Sequence, residues 1–379
     1  MSTIYKNTTL GIIGGGQLGR MLIQAAIDLN IDVHVLDPDA SAPCRDIATK
    51  FTQGSLTDAS TVYKFGRSCD VVTIEIENVS TEALQKLQDD GITVYPEPSV
   101  IALIQDKREQ KKFYKKHDIP TAPFVLTDQQ SDLEQHQEMF PAVQKLGRAG
   151  YDGRGVQKIQ SAEDIAKGFD QPGLLEKLID FEKELAVIVA RNSSGEIETF
   201  PVTEMVFHPE HNLVEYLFAP ADISAETEQK ATNLAKKVIE ELNMTGLLAV
   251  EMFLTRDGEI LVNEVAPRPH NSGHQTIEAN MVSQYAQHLR AILDLPLGAT
   301  DTLIPAAMVN LLGEDSYTGD AQYHGLDKVL AVDGVNVHLY GKKLTKPFRK
   351  MGHVTILDQN LDRLKEKVQF VKNHLKVIA

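Results

Sequence analysis

Residues Leu247–His274 read LLAVEMFLTRDGEILVNEVAPRPHNSGH, and the rest of the chain is best read outward from them. The stretch alternates as a strand, with Val250, Met252 and Leu254 on one side and Ala249, Glu251 and Phe253 on the other. It turns at Asp257-Gly258 and returns through Glu259–Glu264. Asp-Gly between two alternating apolar runs is the strongest short-range signal for a hairpin. With a two-residue loop, Arg256 pairs with Glu259, and counting outward sets Glu251 opposite Glu264. A longer loop makes them diagonal neighbours on the same face. Two carboxylates held that close repel unless a cation lies between them. A carboxylate pair completed by phosphate oxygens is a usual way to hold Mg²⁺. Glu251 and Glu264 are therefore candidate ligands of a Mg-nucleotide; the competing reading is a solvated hairpin face.

The 379 residues are 42% apolar and 24% charged, an ordinary globular balance with length for two or three domains. A net charge of −15 argues against nucleic acid or a membrane surface as partner, since both select basic faces. No signal-peptide pattern opens the chain, and no apolar run approaches the ~20 residues of a membrane span. Cys44 and Cys69 have neither CxxC spacing nor a histidine at metal spacing, which fits buried thiols in a reducing compartment. The expectation is a soluble cytoplasmic protein.

Thr9–Ile13 reads as a strand leading into Gly14-Gly15-Gly16-Gln17-Leu18-Gly19, followed by a helical pattern over Arg20–Leu29 and a second strand, Asp32–Leu36, ending at Asp37. This is a βαβ start with GxGxxG in context and an acid near the distance expected for a ribose hydroxyl. The pattern serves a dinucleotide, another anion at a helix N-terminus, or a tight turn alone. Asp70–Glu77 (DVVTIEIE) predicts a strand with Thr73, Glu75 and Glu77 on one side; acids at the carboxyl end of a parallel strand mark the ligand crevice. A boundary falls near residue 97.

Ser99–His117 is a basic helical stretch whose charges read mainly as a solvated face. Phe140–Leu146 is an apolar strand carrying Lys145, and it runs into Gly147–Gly155, a glycine loop with two arginines. That mixture suits a triphosphate, because backbone N–H groups approach closely while cations neutralise charge. It is not a Walker A loop. Leu174–Ile179 predicts a short connector along a flat base, Lys183–Arg191 a buried strand with Glu184 as its polar outlier, and Glu226–Asn243 an amphipathic helix. Ala266–His274 is a proline-stiffened polar loop; its prolines break the helix that an HxxxH zinc site uses, so hydrogen bonding to a substrate is the better reading. Near the C-terminus, Lys342, Lys343, Lys346, Arg349 and Lys350 crowd one segment, either a phosphate-binding corner or a charged hairpin tip.

Taken in order, these pieces resemble the ATP-grasp superfamily over nearly the whole chain. Three segments, GGGQLGRM (Gly14–Met21), APRPHNSGH (Ala266–His274) and YGKKLTKPFRKMGHV (Tyr340–Val354), resemble in particular the N5-carboxyaminoimidazole ribonucleotide synthetase family. The resemblance implies an α/β ATP-grasp fold in three parts: an N-terminal Rossmann-like domain over 1–98, an ATP-grasp domain over 99–300 with a lid about 120–190, and a small β-rich C-terminal domain over 301–379. It implies ATP, Mg²⁺ and bicarbonate without biotin, a homodimer, and hand-off of product to the next purine-pathway enzyme. The implied reaction carboxylates 5-aminoimidazole ribonucleotide through carboxyphosphate. A formate-using glycinamide ribonucleotide ligase is the alternative within the superfamily, and a nicotinamide oxidoreductase the alternative outside it.

Carried over position by position, the resemblance places the nucleotide on Lys107, Lys145, Gly150, Tyr151, Asp152, Gly153, Arg154, Gly155, Val156, Glu176, Lys177, Leu178, Ile179, Glu184, His208, Asn263 and Glu264. It places the metal on Glu251 and Glu264. The ribonucleotide falls on Gln17, Leu18, Glu75, Arg268 and Asn271, with its phosphate on Lys342, Arg349 and Lys350. Tyr151, Arg154, Lys145 and Arg268 are the implied catalytic groups, with closure of the glycine loop excluding water from carboxyphosphate. The chain departs from the family at Lys107, where arginine is usual and Arg108 follows. A family histidine falls on His208 or is replaced by Phe207. Ala266 stands where many ATP-grasp enzymes have asparagine, which leaves the number of Mg²⁺ ions open.

Overall fold

The computed structural model describes residues 8–148, 150, 155–207 and 214–379. Near-continuous apolar runs such as Leu10–Ile13, Val33–Leu36 and Val71–Ile74 are buried, as strands of a sheet covered on both faces require. They form a five-stranded parallel sheet in the order Lys50–Gln53, Asp32–Asp37, Thr9–Ile13, Val71–Ile74, Thr93–Val94. The order reverses between Thr9–Ile13 and Val71–Ile74. Ligands of such sheets bind outside the carboxyl ends of strands at that point. The strand expected over Asp70–Glu77 stops at Ile74, because its partner ends in the glycine loop, where Gly14 has φ +104°. Glu75 and Glu77 therefore leave the sheet at its carboxyl edge.

The helix expected over Ser99–His117 is two helices, Pro98–Ile104 and Lys107–Lys116. Asp106 breaks it by capping the second: its carboxylate accepts the Arg108 N–H at 3.0 Å. The Lys107 N–H then donates to the Gly147 carbonyl at 2.8 Å, which fixes Lys107 at the head of the helix beside the glycine loop.

Two antiparallel sheets follow. The smaller has the order Phe124–Thr127, Gly173–Lys177, Ala142–Leu146, Val156–Ile159. The segment expected as a flat connector over Leu174–Ile179 is thus an inner strand as far as Lys177. Leu174 and Leu175 are both fully buried, and Glu176 pairs in register with Phe124 on one side and Val143 on the other. The larger sheet runs Ile260–Ala266, Gly246–Thr255, Phe181–Arg191, Thr203–Phe207, Val214–Ala219, Ala306–Leu312, Lys350–Leu357, Val335–Leu339, with Ile197–Thr199 on a branch. It is continuous across residue 300 through the pairing of Val214–Ala219 with Ala306–Leu312.

One face of the strands Phe181–Arg191 and Gly246–Thr255 carries Leu185, Val187, Val189, Val250 and Met252, packed on Ala231, Ala235, Val238 and Ile239 of the helix Ala225–Glu241. Each fully buried side chain of this size contributes about 1.5–3 kcal/mol, so the back of the sheet is firmly held. The opposite face carries Glu184 and Glu251. Cys44 and Cys69 are free and buried, as expected. Among the described residues no helix is long and apolar enough to cross a membrane.

Candidate active site

The hairpin has a three-residue loop, not two. Gly258 donates its N–H to Thr255 O at 3.0 Å, Thr255 donates to Glu259 O at 2.9 Å, and Gly258 takes the left-handed conformation (φ +81°) that closes such turns. Leu254 then faces Ile260, Phe253 faces Leu261 and Met252 faces Val262. Continued unbroken, this register would set Glu251 opposite Asn263. A bulge takes up Asn263 and returns Glu251 to a position opposite Glu264. The two one-residue departures cancel. The bulge also re-aims both side chains of the returning strand. Asn263 Oδ1 accepts from Lys145 Nζ at 3.1 Å, and Glu264 Oε2 pairs with Lys107 Nζ at 3.0 Å.

Around this pair the cations are ordered. Lys145 Nζ also pairs with Glu176 Oε2 at 2.6 Å, while Lys111 Nζ takes Glu176 Oε1. His270 Nε2 lies 3.3 Å from Glu251 Oε1. The Glu264 side chain is 45% exposed, whereas that of Glu251 is 13% exposed. The two acids are accordingly driven apart in acidity. Burial, then the charges of Glu264 and Glu184, push Glu251 up; Lys107 above all holds Glu264 down. Glu184, diagonal to Glu251 on the same face, is pushed up to about 7 by burial and by Glu264, against the pull of Lys145. Next to these groups, Phe181 stacks on Phe253 with ring centroids 4.8 Å apart. The arrangement is a face of three carboxylates flanked by lysines, with an aromatic wall beside it.

The N-terminal crevice is built differently. Asp37 Oδ2 accepts the Gly15 N–H at 2.6 Å, and Glu75 Oε1 accepts the Leu18 N–H at 3.1 Å at the start of the helix Gln17–Asp28. The amides that a dinucleotide pyrophosphate would take are thus engaged by the protein's own carboxylates. Asp37 does not stand free for a ribose, and the dinucleotide reading of GxGxxG loses its anchor. Burial pushes Glu75 up to about 7, Asp37 adds to this, and Arg268 and the Leu18 N–H oppose it. Glu77 pairs with Arg268 Nη2 at 2.9 Å. Asn271 Nδ2 is buried without a partner among the described residues, a donor left for something else. From the C-terminal sheet, Lys342 Nζ donates to Lys350 O at 2.7 Å and Arg349 Nη1 to Leu344 O at 2.7 Å. Hydrogen bonds from Ser41 lower the pKa of Asp39 and the charge of Arg349 adds to this, while the charge of Lys350 acts on Glu251.

The structure therefore gathers Lys107, Lys145, Glu176, Glu184, Glu251, Asn263 and Glu264 around one face. Gly155 and Val156 adjoin it, through Leu146 N to Gly155 O at 2.9 Å and the pairing of Lys145 with Val156. Lys177 and Leu178 donate their N–H groups to Pro123 O and Pro141 O, turning the chain at Ile179 toward Phe181. Of the family alternatives near residue 107, Lys107 reaches Glu264, while Arg108 pairs with Asp128 at 2.9 Å. Tyr151, Asp152, Gly153, Arg154 and His208 lie outside the described residues, whereas Gly150 lies within them. Sequence reasoning missed Lys111 by treating the basic helix as solvated; its spacing of four from Lys107 was the available signal. His274 is buried, with its Nδ1 within hydrogen-bond distance of the Tyr285 hydroxyl and the Gln284 amide.

Residues 7–105 match the ribonucleotide synthetase preATP-grasp domain, 112–285 the ATP-grasp domain, and 306–367 the phosphoribosylaminoimidazole carboxylase C-terminal domain. The chain is 40% identical over 377 residues to the N5-carboxyaminoimidazole ribonucleotide synthase of Bacillus subtilis (strain 168), covering 98% of this chain and 96% of that protein. It superposes with a TM-score of 0.90 and 42% identity on the crystal structure of N5-carboxyaminoimidazole ribonucleotide synthetase from Thermotoga maritima, over 98% of this chain and 99% of that one. With the Aspergillus clavatus synthase, crystallised in complex with ADP and 5-aminoimidazole ribonucleotide, the TM-score is 0.89 at 34% identity, over 98% and 99% of the two chains. Matched over nearly its whole length by sequence and by fold, the chain belongs to the N5-carboxyaminoimidazole ribonucleotide synthase family of ATP-grasp ligases.

Proposed function

We propose that this chain carboxylates the amine of 5-aminoimidazole ribonucleotide, consuming ATP and bicarbonate and releasing ADP and phosphate. The observation that carries the reading is an adjacency. The strand bearing Glu264 runs within four residues to Arg268, which pairs with Glu77 in the N-terminal crevice. The phosphoryl end and the ribonucleotide end are thereby joined by one short stretch of chain.

Bicarbonate is a poor electrophile. Its oxygen attacks the γ-phosphorus of ATP, ADP leaves, and carboxyphosphate results. The amine nitrogen then attacks the carboxyl carbon as the bond to phosphate breaks. Lys107 and Lys145 are placed to neutralise the transferring phosphoryl group. Glu184 suits the ribose of ATP, since a half-buried acid with a raised pKa gains from hydroxyl donors. The aromatic wall of Phe181 and Phe253 suits the base. Two opposed carboxylates suit a Mg²⁺ ion whose remaining ligands are phosphate oxygens and water. Glu251 and Glu264 would hold it, and when bound it would screen charge on the phosphates. Glu75, Asn271 and Arg268 suit the ribonucleotide, and Lys342, Arg349 and Lys350 its phosphate. A cytoplasmic homodimer that passes its product onward belongs to the same reading.

The test is ADP release by the purified protein with ATP, Mg²⁺ and bicarbonate, with and without 5-aminoimidazole ribonucleotide. Strong stimulation that requires both bicarbonate and the ribonucleotide is the expected result. Stimulation only by formate and glycinamide ribonucleotide would move the protein to the alternative ligase reaction.

A further inference from the structure

Lys111 does not face the open cleft, yet it is tied into the same network. It lies one helical turn beyond Lys107, and its side chain and that of Glu176 are each only 5% exposed. Its Nζ pairs with Glu176 Oε1 and donates to Thr121 Oγ1. The Thr121 hydroxyl in turn donates to Val262 O at 2.7 Å, one residue before Asn263. The other Glu176 oxygen holds Lys145, and Lys145 reaches Asn263. The result is a closed ring: Lys111, Glu176, Lys145, Asn263, the Val262 carbonyl, Thr121, and back to Lys111. It joins the helix Lys107–Lys116, the two inner strands of the smaller sheet and the bulged strand of the hairpin.

The charges in the ring do not balance. Two ammonium groups share one carboxylate, so the ring carries a net positive charge. An ammonium has three N–H donors. Lys145 uses one on Glu176 and one on Asn263, which leaves one for an anion. Were Glu176 held by Lys145 alone, the two would form a neutral buried pair, and a phosphate would meet a lysine whose charge was already cancelled. Burial lowers the pKa of Lys111, and Glu176 pulls it part of the way back.

We infer that Lys111 is a positioning residue that neutralises Glu176 from behind and so leaves the charge of Lys145 available to the phosphates of ATP. The inference deepens the proposed function and rests on its placement of ATP at Lys145. It separates two roles among lysines of similar appearance: Lys145 meets the ligand, and Lys111 sets the charge that Lys145 presents.

The experiment measures steady-state ADP release by full-length Lys111→Met, Lys111→Arg, Lys145→Gln and the double variant Lys111→Met/Glu176→Gln. Lys111→Met is expected to raise the KM for ATP by about tenfold or more, the scale of one charged hydrogen bond, and to lower kcat, with little change in the KM for the ribonucleotide. Removing the Glu176 charge in the double variant is expected to recover about fivefold or more of that loss, because the carboxylate that captures Lys145 is gone. Lys111→Arg keeps the charge and is expected to lose far less than Lys111→Met. If Lys111→Met does not fold, Lys111→Gln removes the same charge while keeping a polar donor beside Glu176 and Thr121, and takes its place. An unchanged KM for ATP, an equal defect toward both substrates, or a double variant no better than the single one would overturn the inference. Lys145→Gln separates the two levels. If it leaves the KM for ATP intact, the placement of ATP at Lys145 is wrong; if it raises that KM while the Lys111 variants do not, only the role of Lys111 fails.

Discussion

Two pairs of glutamates sit at the edges of two sheets, and their surroundings give them opposite tasks. Glu251 and Glu264 face one another across a hairpin, so each feels the other's charge, and their protein partners are His270 for one and Lys107 for the other. Glu75 and Glu77 lie beyond a parallel strand, and their partners are the Leu18 N–H of the glycine loop for one and Arg268 for the other. The mutual repulsion of the first pair is what the proposed cation would relieve. The second fills the anion site of a glycine loop and anchors an arginine. A carboxylate in a sequence does not declare its role, and the role follows from which groups the fold sets beside it.

The largest effect should come from the first pair. Glu264→Gln removes one negative charge from the proposed Mg²⁺ shell and cancels the ion pair with Lys107, while the partly exposed side chain leaves the fold undisturbed. Turnover is expected to fall by several orders of magnitude with an unaltered circular dichroism spectrum. Near-normal ADP release by this variant would show that the hairpin pair is only a solvated face and would erase the contrast. Glu75→Gln should act more gently and on the other substrate. It is expected to raise the KM for the ribonucleotide about tenfold, the scale of one charged hydrogen bond at about 1.5–3 kcal/mol, with little change for ATP. A defect confined to ATP would join the two sites into one.

The glycine-loop βαβ unit was legible because strand, turn and helix are local patterns, and the structure reproduces Thr9–Ile13 and Asp32–Asp37 within a residue. What filled its anion site was not legible, since Asp37 and Glu75 reach it only through the parallel pairing of distant strands. The Glu251–Glu264 pairing came out as counted, but by another route. A loop one residue longer and a bulge at Asn263 cancel, and neither can be seen in an alternating pattern. Lys111 was hidden because the helix over Ser99–His117 reads as one basic face. Only the cap at Asp106, which restarts the helix, turns Lys107 and Lys111 together toward Glu264 and Glu176. The inner strand Gly173–Lys177 escaped because Leu174-Leu175 lacks the alternation of a half-buried strand.

The smallest expected effect is on stability, and it weighs one acid from each region. Glu75 and Glu184 both have an ordinary value of 4.5 that the folded protein raises to about 7. The folded state then binds more protons than the unfolded one between those values, so the stability they lend is present below pH 4.5 and is lost as pH rises through about 7. The lowered pKa of Glu264 acts at lower pH and does not enter this window, whereas Glu251, pushed up by burial and by Glu264, adds to the same fall in every variant compared. Buried neutral histidines such as His274 and His353 work in the opposite sense, mainly below pH 6.5. Between pH 6.5 and 8, therefore, Tm of the ligand-free protein is expected to fall, and to fall less in Glu75→Gln and in Glu184→Gln. Saturating Mg-ATP should remove the Glu184 share by giving that acid hydroxyl donors, and leave the Glu75 share in place. Thermal unfolding of the three proteins across that range, with and without Mg-ATP, decides the matter. Identical slopes in all three would mean that neither acid is held protonated by its surroundings, and a Glu75 share that vanished with ATP would place the nucleotide in the N-terminal crevice.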